Sequence, residues 1–315
     1  MKLKYVAASK LLLSNWSIPK LDRVLEQTDI RLSRSLDFVS PNNIKVSCVQ
    51  MALHNELPAK DALEMVLGSV NRAVSDGSQL IVFPEYVGLL PLLSSSSLFD
   101  LCYQFSEDLL NGDTEPVQEA LSFYTKYLAQ PLYESYIRFF SMLAIKASVY
   151  ILAGTTIVRT REGLVNRAFL FDPDGTIILQ QDKLHLCGIL PGKELQTVQT
   201  KLCRISVLTG MDQRLFEAAR AAHSLGSQLL LCPSAFCSSR SSAFFQSCAF
   251  MRCQEQPVFA VASWLTGDFM DLPFRAISGI YGPFSATKLG NGIISQTEHP
   301  SSDACLTARI DLERL

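Results

Sequence analysis

Two apolar spacings alternate along this chain. Residues 44–52 are apolar and β-branched, the mark of a buried strand. Residues 60–74 set Leu63, Val66, Val70, Ala73 and Val74 at helical spacing, and Asp76-Gly77 ends that helix. Residues 80–83 are wholly apolar and are closed by Pro84-Glu85, which completes a β-α-β unit with a parallel crossover. Residues 116–146 read as mostly helical, with Pro116 suited to a first turn and Pro131 interrupting the run. A strand is expected at 149–158. Residues 166–171 and 176–180 flank Asp172-Pro173-Asp174-Gly175, a hairpin with a four-residue turn. Further strands are expected at 205–209, 229–232, 258–264, 293–296 and 305–310, with helices at 214–225 and 243–254.

Before residue 44 the spacing is looser. Leu21, Val24, Leu25, Leu32 and Leu36 follow a loosely helical pattern, and Ser40-Pro41-Asn42-Asn43 is a turn cluster. Residues 1–43 therefore read as an N-terminal extension that either packs on the core or serves an oligomer contact. Residues 44–315 read as one α/β domain, with helices outside and a mixed sheet within.

Composition narrows the partners. Hydrophobic residues make up 48% of the 315 and charged residues 18%, which excludes disorder and implies a large core. The net charge is −2 and no basic run stands out, so neither nucleic acid nor a membrane surface is an expected partner. The nine Cys include no CxxC pair and sit mostly in apolar runs, the usage of reduced, buried thiols in a cytoplasmic protein. No apolar stretch approaches ~18 residues, so no transmembrane helix is expected. No metal-ligand spacing occurs, and no cofactor is expected.

Three segments carry candidate chemistry. Glu85 follows an apolar strand and one Pro, where α/β sheets place their ligands, and partial burial there would favour a general base. Lys183-Leu184-His185-Leu186 follows the hairpin, where a Lys can stabilise a forming oxyanion; His185 reads as a structural hydrogen-bonder. Residues 205–217 run from a buried strand through a sharp turn at Gly210 into a helix, the geometry of a nucleophile elbow. Alone, each segment has an ordinary reading: a loop carboxylate, a surface ammonium, a glycine turn.

Together they resemble the carbon–nitrogen hydrolase (nitrilase) superfamily, in its amidase-like branch. Ile81-Val82-Phe83-Pro84-Glu85 looks like the first family signature. Asp172-Pro173-Asp174-Gly175 with Lys183-Leu184-His185-Leu186 looks like the second. Leu231-Cys232-Pro233-Ser234-Ala235-Phe236 and Met251-Arg252-Cys253-Gln254-Glu255 resemble later landmarks. The resemblance implies a single-domain α-β-β-α sandwich that assembles as a homo-oligomer. It implies that Glu85 is the general base, that Lys183 holds the tetrahedral intermediate, and that the ligand is a small amide, carbamoyl or nitrile compound.

The third signature departs from the family. Asp212, Arg214 and Glu217 fall in place, Leu215-Phe216 replaces the usual Phe-Pro, and Met211 sits where an aromatic is usual. The nucleophilic Cys position is taken by Gly210, which cannot form a thioester. Cys237, Cys187 and Thr209, in that order, are the candidates for a relocated nucleophile; Ser206 and Cys203, on the same strand, are expected to be buried. Glu194 is the nearest carboxylate for the family's auxiliary glutamate. Two readings remain: a hydrolase using an unusual nucleophile or Glu85-directed water, and a non-catalytic relative that binds or assembles. Loops near 88–115, 187–200 and 236–242 would set specificity, and 88–115 reads as a lid or insertion.

Overall fold

A computed structural model describes residues 2–33, 35–37, 39–54, 57–95, 114–185, 189–236, 244, 246–269 and 272–315. The chain opens with helices α1 (Lys2–Asn15) and α2 (Ile18–Gln27), followed by strand β1 (Ile44–His54). Helix α3 (Ala59–Ser75) leads to β2 (Leu80–Val82), and short α4 (Leu90–Leu93) follows. Helices α5 (Thr114–Tyr127) and α6 (Ala129–Ala147) precede β3 (Tyr150–Arg159), β4 (Leu164–Phe171) and β5 (Ile177–Asp182). Next come β6 (Thr197–Gln199), β7 (Arg204–Val207), α7 (Phe216–Ser224) and β8 (Leu229–Ala235). Helix α8 (Met251–Glu255), β9 (Phe259–Phe269), β10 (Leu272–Phe274), β11 (Gly279–Tyr281), β12 (Ile293–Gln296) and β13 (Ala304–Ile310) finish the chain.

The strands run in the order β5-β4-β3-β2-β1-β9-β8-β7-β6. Strand β1 joins two sheets: its first half pairs parallel with β2 and antiparallel with β13, and its last residues pair parallel with β9. Alternation along each strand sorts the core into three layers. Val82, Leu152 and Leu170 meet Ile205, Leu231 and Val261 between the sheets. Phe83, Ile151 and Phe169 face α3 and α6. Leu208, Leu230 and Ala260 face α7 and the segment around Cys253. The result is a single-domain α/β fold with helix, sheet, sheet and helix in four layers.

The leading segment belongs to this core. Leu12, Leu21 and Leu25 are buried with the α3/α6 cluster, and Arg138 pairs with Asp22 at 2.9 Å. Leu32 departs from the expected stripe: it follows the end of α2 and is 64% exposed. The helix expected over 116–146 breaks at Leu128, and Pro131 sits in the first turn of α6, where its missing N–H costs nothing. The expected helix over 243–254 holds a kink at Cys248 (φ −92°, ψ −137°), and only 251–255 are regular helix. In the expected lid, Leu90, Leu92 and Leu93 are buried in the core; 96–113 lie outside the described residues.

Candidate active site

Strand β2 stops because Pro84 cannot donate to a ladder. The loop after it hangs on an irregularity in β3, whose register shifts between Leu152 and Thr155. Gly154 makes this possible: a Cβ there would lie 1.9 Å from the Pro84 carbonyl oxygen. Thr155 Oγ1 accepts the Tyr86 N–H at 2.9 Å, and Tyr86 is held left-handed at φ 65°. A bulky residue at positive φ is strained, and such strain collects at functional sites.

This turn aims Glu85 inward, with 0% exposure. Its Oε1 accepts from Lys183 Nζ at 2.7 Å and from Asn166 Nδ2 at 2.8 Å. Its Oε2 accepts from the Ala235 N–H at 3.0 Å. The Tyr86 phenol lies beside Glu85; burial, then the Glu85 charge, push its pKa well above the ordinary value.

Lys183 is the first residue after β5, 7% exposed, and is fixed through its backbone. Its N–H donates to the Asn166 carbonyl at 2.9 Å, and its carbonyl accepts from Gly192 N–H at 2.7 Å. Asp212 then clamps the two following residues. Its Oδ2 takes Leu184 N–H at 2.8 Å, and its Oδ1 takes His185 N–H at 2.9 Å and lies 3.0 Å from His185 Nδ1. Burial raises the Asp212 pKa, against the pull of these hydrogen bonds and of the Lys183 charge.

The Asp212 clamp ties the lysine loop to the turn at Gly210, which opens a 3₁₀ turn at φ +55°. A Cβ at position 210 would lie 2.8 Å from both Glu85 Oε2 and Lys183 Nζ. Glu85, Lys183 and the bare backbone of Gly210 therefore meet at one point.

Glu194 is exposed, and its carboxylate accepts from Gln196 Nε2 at 2.8 Å; the structure does not bring it to the pair. Thr209 Oγ1 and Ser206 Oγ are buried and make no hydrogen bond among the described residues, so no base touches them. Cys203 is buried, its thiol pushed up to about 12. Cys187 and Cys237 lie outside the described residues. No three His, Cys, Asp or Glu side chains among the described residues are arranged to hold a metal ion. Reading by sequence missed Asn166 and the Ala235 N–H. Asn166 had one signal, a lone amide in the strand Leu164–Phe171, and the Ala235 contact had none.

The family model for carbon–nitrogen hydrolases matches residues 45–314. The chain belongs to the carbon–nitrogen hydrolase family. It is 30% identical over 196 residues to Probable hydrolase YhcX of Bacillus subtilis, covering 58% of this chain and 37% of that protein. It is 30% identical over 110 residues to Omega-amidase NIT2 of Homo sapiens, covering 30% of this chain and 40% of that one. The matched stretch thus spans less than half of either relative. Among solved structures, the amidase from Nesterenkonia sp. AN1 in complex with acrylamide superposes with TM-score 0.64 at 17% identity, over 86% of this chain and 93% of that one. Another structure of that amidase, with the acetamide moiety of fluoroacetamide added covalently at the active site cysteine, gives TM-score 0.64 at 16% identity, over 88% and 94%. At such identities the likeness is one of fold. Among the described residues no helix is long and apolar enough to cross a membrane.

Proposed function

We propose that this chain binds a small amide, carbamoyl or nitrile compound at the Glu85–Lys183 pair, and that the family's thiol-dependent hydrolysis is absent or strongly impaired. One observation carries the reading. The point that faces both charged groups is the Cβ position of Gly210, which has no side chain.

In the thiol mechanism Glu85 takes the proton from the nucleophile and the thiolate adds to the amide carbon. Lys183 holds the oxyanion, ammonia leaves with the proton, and water then releases the acid. At Gly210 no thioester bond can form. Loss of a nucleophile costs ~10⁶ in turnover in the best-measured protease case. What remains is recognition: Lys183 Nζ can donate to a carbonyl oxygen, and Glu85 can accept from an amide N–H.

Two further points belong to this reading. The six described cysteines are free thiols, which supports a reducing, cytoplasmic setting. Assembly with a second copy, which the family likeness implies, also belongs to this reading; light scattering at the monomer mass would remove that part.

The decisive test is hydrolysis of a panel of ω-amides, N-carbamoyl compounds and nitriles by this chain and by Gly210→Cys. Turnover is expected only in the variant. Turnover by the unaltered chain that disappears with Glu85→Gln would instead establish a working hydrolase with another nucleophile.

A further inference from the structure

An open groove of about 830 Å³ runs between α5 and the β3–β4 turn. Its position follows from strand register. Ile157 pairs with Asn166 and Arg159 with Leu164, so Arg159 and Leu164 share the face that carries Asn166, one step farther from the core. Its other wall is Ile189-Leu190, with Leu190 N–H donating to the Leu164 carbonyl at 2.9 Å. The groove includes neither Glu85 nor Lys183.

The lining has a definite chemistry. Leu121, Leu164, Ile189 and Leu190 give it an apolar wall. Lys126 and Arg159 also line it, and neither has a carboxylate partner among the described residues; Lys126 rests over the Tyr127 ring at 5.1 Å. The acid in the groove, Glu162, is already engaged by Lys193 at 2.7 Å. Two cations without a carboxylate partner among the described residues, beside an aliphatic wall, complement an anion with an apolar body. Glu162 in the same groove disfavours a dianion.

We propose that this groove is a binding site for an alkyl carboxylate, its chain against the aliphatic wall and its carboxylate between Arg159 and Lys126. The proposal does not depend on whether the Glu85–Lys183 pair turns substrate over.

The test is calorimetric titration of the full chain with octanoate, with 1-octanol and octylammonium as neutral and cationic counterparts. Octanoate should bind at least tenfold more tightly than either, and the Lys126→Gln/Arg159→Gln double variant should weaken it at least tenfold. Both residues are exposed, so the variant should keep the circular dichroism of the parent. A carboxylate could also seek the Lys183 ammonium, so Lys183→Gln is titrated in parallel. Binding lost with Lys183→Gln but kept within twofold in the double variant would overturn the proposal. So would equal binding of octanol, or no heat at ~10 mM octanoate.

Discussion

Gly210→Ala tests the geometry of the site without asking for catalysis. At φ +55° any L side chain is strained by about 1–2 kcal/mol. Alanine regains about 0.4–1 kcal/mol of that through the lower entropy of the unfolded chain. The new Cβ would also stand 2.8 Å from Glu85 Oε2 and from Lys183 Nζ, well inside the 3.4 Å at which ordinary contact begins. Lys183 can withdraw, but Glu85 is held by Asn166 and by the Ala235 N–H, so yielding stretches a buried ion pair. Breaking such a pair costs about 3–5 kcal/mol, and a partial opening about 1–2 kcal/mol. Gly290 supplies the control: it has φ +64° and nothing within 4 Å of its Cβ position. Gly290→Ala should cost about 1 kcal/mol, strain alone, and Gly210→Ala about 2–3 kcal/mol. Urea unfolding at unchanged m-value reads the difference as a shift in midpoint. In a Lys183→Ala background the excess at Gly210 should shrink. Equal costs for the two glycines, or no change of the excess in that background, would refute the convergence of Glu85 and Lys183 on position 210.

Burial pushes the thiols of Cys203, Cys248 and Cys305 up to about 12, and raises those of Cys48, Cys232 and Cys253 as well. At pH 8 roughly 10⁻⁴ of a thiol with pKa about 12 is thiolate. Iodoacetamide should therefore leave these six unmodified in the native chain and label them in urea, as peptide mass mapping would show; rapid native labelling of any of them contradicts its placement. Asp212→Asn leaves one carbonyl oxygen where two oxygens now serve Leu184 and His185, a loss of about 1–3 kcal/mol by thermal or urea unfolding. Its pH dependence has a definite sign. The folded carboxyl sits above its ordinary 3.8, so the folded chain holds the proton longer, and this group's contribution to stability falls as pH rises through the raised value. The parent should lose stability over that window faster than Asp212→Asn; parallel curves would count against a buried Asp212.

Glu85 and Lys183 were legible because punctuation marks their places: Pro84 stops an apolar strand, and the Asp172–Gly175 turn starts the strand that delivers Lys183. The likeness of three short segments to one family then carried the expectation of the layers and directed attention to position 210. Other features depend on contacts that no local pattern encodes. The break at Leu128 and the kink at Cys248 lie in runs whose apolar spacing continues across them. The left-handed Tyr86 follows from Thr155 and Gly154 on another strand. Glu194 looked near the lysine in sequence, but the backbone turns at Gly192, whose N–H returns to the Lys183 carbonyl, and leaves Glu194 in solvent.

Retention of Glu85 and Lys183 invites the inference that chemistry persists. The geometry weakens that inference. Each group answers the other at 2.7 Å, and Asn166, the Ala235 N–H and the Tyr86 phenol lie around Glu85. Once buried, such a pair is costly to dismantle from either side. Removing one partner strands a charge, at about 3–5 kcal/mol, against a total stability of about 5–15 kcal/mol for a typical domain. A chain that had lost its nucleophile would thus be held to Glu85 and Lys183 by folding alone. Their presence is expected under both the catalytic and the non-catalytic reading and cannot choose between them. The choice falls to position 210, where a Cβ would face both charged groups.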